Sequence, residues 1–136
     1  MKTLYIVILL AIGLAACKNN SSDPAPGNTT NQNLLKTWKV SQVLEGTLDI
    51  TSEFSQYRLT FEETNGSKNF TLVKQDGASL TGSGEISTDE TTITLTTNGN
   101  VITLSGVRIS ASELKYATDE EGKTGLVRLT FVLGPA

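Results

Sequence analysis

The sequence contains no histidine, and that absence removes the commonest general base near neutral pH and the commonest metal ligand. A single cysteine, Cys17, excludes an intrachain disulfide and any thiolate-rich zinc site. Aromatic residues make up 6% of the chain, with one tryptophan, so few large side chains are available to fill a core or wall a pocket. Basic residues number 11 against 14 acidic ones, for a formal net charge of −3. They form no run interleaved with aromatics, which excludes a surface that tracks phosphates and argues against nucleic acid as a partner. No cofactor-binding motif is present either: Gly82-Ser83-Gly84 lacks the following helix and the Lys-Ser/Thr pair of a phosphate loop.

What is present divides by composition. Residues 1–17 read MKTLYIVILLAIGLAAC, with Lys2 ahead of an apolar run of 11 residues from Leu4 to Leu14. That run is shorter than the roughly 20 residues a helix needs to span a bilayer, and it suits the apolar region of a signal peptide. Leu14-Ala15-Ala16-Cys17 closes it and resembles the lipobox of bacterial lipoproteins. The resemblance implies cleavage before Cys17 and acylation of that cysteine with chains such as palmitate. More than one chain would hold the protein at a membrane durably, since each buried methylene contributes about 0.8 kcal/mol. Lys18 follows the cysteine, where many inner-membrane lipoproteins carry aspartate, so the outer membrane is the expected location. Residues 18–33 are polar, hold Pro24, Pro26 and Gly27 and show no apolar period, the composition of a flexible tether. The expected organisation is therefore a signal peptide over 1–16, a lipidated cysteine and tether over 17–33, and one domain over 34–136.

From Leu34 onward, short alternating stretches are separated by turn residues about every ten positions, the pattern of an all-β sandwich or barrel. A type I′ turn at Asn98-Gly99 places Leu95 opposite Ile102 and Ile93 opposite Leu104, all on one face. One at Asn65-Gly66 pairs Phe61 with Phe70 and Leu59 with Leu72. A turn at Asp89-Glu90 sets Ile86 against Ile93, a loop at Gly77-Ala78-Ser79 sets Leu72 against Gly84, and a turn at Glu121-Gly122 sets Tyr116 against Val127 and Leu114 against Leu129. In VITLSGVRIS the apolar phase switches from Ile102 and Leu104 to Val107 and Ile109, which a bulge at Ser105-Gly106 repairs. Val107 and Ile109 then match Leu114 and Tyr116 across a turn at Ala111-Ser112. Strands are expected over 34–45, 56–63, 68–75, 80–87, 91–97, 100–109, 113–118 and 124–133. In the long link after the first, Thr51 or Ser52 is expected to cap a helical turn anchored by Leu48, Ile50 and Phe54. An antiparallel meander of eight strands usually closes, giving an up-and-down barrel; a two-sheet β-sandwich would share the same turns.

The opening Leu34-Leu35-Lys36-Thr37-Trp38-Lys39-Val40 resembles the start of lipocalin-like domains, which carry Gly-x-Trp at this point. Lys36 stands where those domains have glycine. Residues 40–61 are also similar to bacterial lipocalin-like lipoproteins of unassigned role. The resemblance implies an eight-stranded barrel and an arginine of the last strand packed over Trp38, a position Arg128 would fill. Trp38, Tyr57, Phe61, Phe70 and Tyr116 are the residues expected to face a ligand, the tyrosines because each brings a hydroxyl to an apolar wall.

The acidic groups Glu62-Glu63, Asp89-Glu90 and Asp119-Glu120-Glu121 fall at turns, and none has the ligand spacing of a calcium loop. No catalytic or metal residue is assigned. A serine or threonine nucleophile would need a lysine partner, and Lys74 alone is expected on an inward face. The reading is a non-enzymatic, lipid-anchored barrel that binds a small hydrophobic ligand, or else a structural or inhibitory envelope protein that binds a macromolecule through its loops.

Overall fold

The computed structural model describes residues 31–136. Nine strands follow in chain order: β1 (Thr37–Glu45), β2 (Leu48–Asp49), β3 (Arg58–Thr64), β4 (Ser67–Val73), β5 (Ser79–Ile86), β6 (Thr92–Thr97), β7 (Asn100–Ile109), β8 (Leu114–Gly122) and β9 (Gly125–Pro135). A 3₁₀ turn over Thr51–Phe54 separates β2 from β3. All neighbours are antiparallel, and β1 pairs with both β3 and β9. The first long strand thus bonds to the last, and the eight long strands form a closed up-and-down barrel with β2 as a short appendage. Closure leaves no open sheet edge for a second sheet to pack beside, which excludes the sandwich.

The hairpins show why this sequence adopts these strands. Asn98 and Gly99 both have positive φ (43° and 82°), as do Asn65 and Gly66 (52° and 77°), the condition for type I′ turns whose twist matches that of the flanking strands. Pairing follows as expected: Leu95 faces Ile102, Ile93 faces Leu104, Phe61 faces Phe70, Leu59 faces Leu72, and Ile86 faces Ile93. The bulge expected at Ser105-Gly106 is present, with Gly106 at φ 59° and the register shifting between Ser105 and Arg108. It returns Val107 to the interior and lets Ile109 face Leu114.

Two registers differ from expectation, each by four residues. Leu72 faces Leu80 rather than Gly84, because the β4–β5 turn tightens at Lys74–Gly77, where the Gly77 amide donates to the Lys74 carbonyl and Gly77 takes φ 83°. Leu114 faces Leu133 and Tyr116 faces Phe131, with the β8–β9 turn at Lys123-Thr124 between Gly122 and Gly125. A turn at Glu121-Gly122 would have set Arg128 directly across from Lys115. The observed register sets Arg128 against Asp119, so a like-charge pair is replaced by an opposite one. A second bulge, between Val40 and Gln42 of β1, moves the inward set from Trp38 and Val40 to Val43.

The link between β1 and β3 also departs from expectation. No side chain caps the 3₁₀ turn. Asp49 accepts from the Thr51 amide (2.9 Å), while the Thr51 hydroxyl accepts from the Val43 amide (3.0 Å). Phe54 is buried and Ile50 packs against the core, but Leu48 is 62% exposed, because pairing with β1 at Glu45 carries it outward.

Candidate functional site

The barrel has two unlike ends. At one, the chain approaches β1 across the base: Leu34 is buried, and the Trp38 indole, wholly inaccessible, donates to the Leu34 carbonyl at 3.1 Å. The Lys36 ammonium lies 5.0 Å from the centre of the Trp38 ring and donates to the Ala111 carbonyl at 2.9 Å. Arg128 does not pack there. Trp38 faces Pro135, seven positions along β9 from Arg128, which is about 23 Å of extended strand. Arg128 binds Asp119 (3.2 Å) and the Ser105 hydroxyl (2.6 Å) on the outer wall. The lysine that replaces glycine in the opening motif supplies the cation over Trp38 instead.

Above this base the core is filled by rings. Phe131 stacks on Tyr57 (centroids 4.9 Å) and on Tyr116 (5.2 Å), and Phe54 meets its edge at 5.2 Å. The Tyr57 and Tyr116 hydroxyls, 59 residues apart in sequence, share a 2.6 Å hydrogen bond inside the barrel. Burial and the negative field of Glu120 push both phenols above their ordinary value, Tyr116 also through Tyr57 itself. Phe61 and Phe70 are buried against β5, where glycine makes room: a Cβ on Gly84 would lie 3.3 Å from the Phe61 ring, and one on Gly82 would collide with the Thr96 carbonyl. Both glycines therefore relieve crowding on β5.

The opposite end, carrying the β1–β2, β4–β5, β6–β7 and β8–β9 turns, is open. A cavity of about 270 Å³ enters it. Tyr57, Leu72, Leu80, Leu95, Ile102 and Leu104 form its apolar floor and walls, and Lys74, Gln75 and Thr118 to Glu121 form its rim. At about 30 Å³ per water-sized group, it holds on the order of nine such groups. A second recess of about 150 Å³ adjoins it and shares Gln75, Glu120 and Glu121. A larger recess, about 440 Å³, lies where β4 and β5 part beyond the Asn69–Ser83 pair. Its lining, Gly66 to Asn69 and Ser83 to Ile86, is mostly polar, so it offers no apolar enclosure.

Of the five residues expected to face a ligand, Tyr57 alone lines the open-end cavity. Trp38, Phe61, Phe70 and Tyr116 are packed in the core. The aliphatic lining from Leu72, Leu80, Leu95, Ile102 and Leu104 follows from the inward alternation, but alternation does not distinguish a packed inward residue from one that lines space. Among the described residues no group of three or more acidic or thiol side chains could hold a metal ion. Cys17 lies outside the described residues.

No family model matches the chain, and no curated protein matches it. Among solved structures, the chain is similar to zebrafish ileal bile acid-binding protein complexed with cholic acid, at 10% identity and a TM-score of 0.44. The match covers 76% of this chain and 99% of that one. The barrel assignment rests on strand pairing and closure.

Proposed function

We propose that this chain is a lipid-anchored, non-enzymatic barrel that takes a small apolar molecule into its open end. The cavity above Tyr57 carries the reading: a concave, apolar floor with a few polar groups at one rim is the usual form of a small-molecule site. The base is sealed by Leu34 and Trp38, so entry is from one side. The lipocalin-like opening motif and the lipobox support the same picture from sequence. Cys17 attaches the domain to the envelope, with the outer membrane as its location.

Methyl-labelled protein titrated with short alcohols and alkanes tests the binding site. Shifts confined to Leu72, Leu80, Leu95, Ile102 and Leu104 are expected. A panel that leaves those methyls unmoved would sink the ligand reading. Anchoring is checked separately: the wild-type chain should carry acyl mass on Cys17 and sediment with membranes, and Cys17→Ser should be released.

One observation favours a second reading, in which the rim binds a macromolecule. Leu48, Val101 and Leu126, at 62%, 62% and 74% exposure, all sit beside turns of the open end. Exposed apolar side chains gathered at one end are a common mark of a contact surface.

A further inference from the structure

The ligand's charge can be read from the residues around the cavity. On alternating strands the inward positions of β8 run Leu114, Tyr116, Thr118 and Glu120, so Glu120 tops the column that ends in the buried hydroxyl pair. Its carboxylate makes no ion pair among the described residues, whereas the neighbouring Asp119 pairs with Arg128 on the outer wall. With Asp119 paired to Arg128, the cavity rim sets Lys74 against Glu120 and Glu121. The adjoining recess adds Glu45 and Glu53 and contributes no basic side chain. Arg58 is turned onto the backbone carbonyls of Ser55 and Tyr57, at 3.0 and 2.8 Å.

Deeper in, the barrel offers an anion nothing. The buried polar side chains besides the tyrosine pair are Thr97 and Thr118, and no buried Lys or Arg occurs among the described residues. An ionised head group drawn inside without a cation would lose its hydration uncompensated. The field that resists ionisation of Tyr57 and Tyr116 acts against any other negative charge at the same place.

From this geometry we infer that the open end selects a cationic amphiphile, a short alkyl or ring system bearing an amine or quaternary ammonium. Its apolar part lies between Leu72, Leu80, Leu95, Ile102 and Leu104, and its charged head lies at the mouth beside Glu120. The inference rests on the ligand-site reading and adds the sign of the head group to it. The alternative of a carboxylate-bearing ligand would place two like charges together at the mouth.

Calorimetric titration of the full-length chain at pH 7 with octylamine, octanol and octanoate separates the two levels. Each fits a cavity of this size, and the three differ only in head group. Octylamine should bind about tenfold more tightly than octanoate, with octanol between them, as expected for one close opposite charge at a half-screened site. Glu120→Gln should reduce the amine-to-carboxylate ratio several-fold while octanol binding persists, and Glu53→Gln should reduce it less. Octanoate binding as tightly as octylamine, with octanol also bound, would overturn the charge inference and leave the ligand site standing. An amine preference untouched by both variants would overturn the placement of the head. Failure of all three to bind would overturn the site and the inference together.

Discussion

Tyr57 and Tyr116 depend on each other more than on any neighbour. Each phenol is buried, and each hydroxyl has the other as its partner at 2.6 Å. Replacing either alone with phenylalanine strands a buried hydroxyl and should cost about 1–3 kcal/mol, whereas the double replacement removes both groups and should cost less than the sum. A double-mutant cycle by urea denaturation measures this. The pH dependence has a defined sign. Both folded pKa values are raised above the ordinary value of 10, so the stabilising contribution is fully present below pH 10 and is lost as pH rises through the folded values. In an absorbance titration at 295 nm of the chain from Cys17 onward, which lacks Tyr5, both tyrosines should stay protonated past pH 10 until the barrel unfolds; ionisation at pH 10 with the fold intact would contradict the buried pair.

The cation over Trp38 gives a second residue-scale contrast. Lys36→Met should change Trp38 emission and cost about 0.5–1 kcal/mol, while Arg128→Met should leave the emission unchanged. The opposite result would restore the family expectation for Arg128. Nothing in the sequence distinguished the two, because both are single basic residues and only the path of the chain brings one of them to the indole.

Among the elements, β5 is the one most constrained by its neighbours. Gly82→Ala would put a Cβ 1.9 Å from the Thr96 carbonyl oxygen, a backbone atom that can yield only if β6 moves. Gly84→Ala meets the side-chain edge of Phe61 at 3.3 Å, which rotation can relieve. We expect Gly82→Ala to destabilise by about 3 kcal/mol and Gly84→Ala by about 1, measured by thermal or urea unfolding. Equal effects would indicate that the two strands are not held as closely as described.

Hairpins of the same kind were legible to different degrees, for a physical reason. At Asn65-Gly66 and Asn98-Gly99 the residue type itself demands a two-residue turn, so the register is specified locally. At 74–78 and 121–125 several residues tolerate the turn, and sliding a strand by four positions keeps every side chain on its original face. Alternation is blind to an even slip, so contacts chose: Arg128 with Asp119, and Tyr116 with Phe131. No glycine marks the β1 bulge, so only the switch of apolar phase between Val40 and Val43 signals it in the sequence. At Ser105-Gly106 the same switch came with a glycine.

For the whole molecule, closure and cavity matter more than any single contact. Ile102 stands half-buried on the cavity wall, at the open end of β7. Ile102→Trp should fill the mouth and weaken uptake of octanol at least tenfold, with stability changed by less than about 1.5 kcal/mol because the site is not yet fully packed. Retained uptake, followed by calorimetry, would place the ligand elsewhere on the barrel. The candidate site was therefore only partly legible: its inward-facing aliphatics followed from alternation, but whether an inward residue ends up packed or lining space depends on what crosses the barrel to meet it. Phe131, met from three sides by Phe54, Tyr57 and Tyr116, fills the lower interior and leaves the space above it.

By itself the sequence determined the strand alternation, two I′ turns, the glycine bulge and therefore an antiparallel meander, since each of these is set within a few residues by backbone sterics and apolar period. Only the tertiary structure decided that β1 meets β9, that Lys36 rather than Arg128 covers Trp38, and that the acidic mouth lies over an apolar floor. Those outcomes join residues far apart in the chain, and they follow from how the sheet twists, slips by even steps and closes on itself.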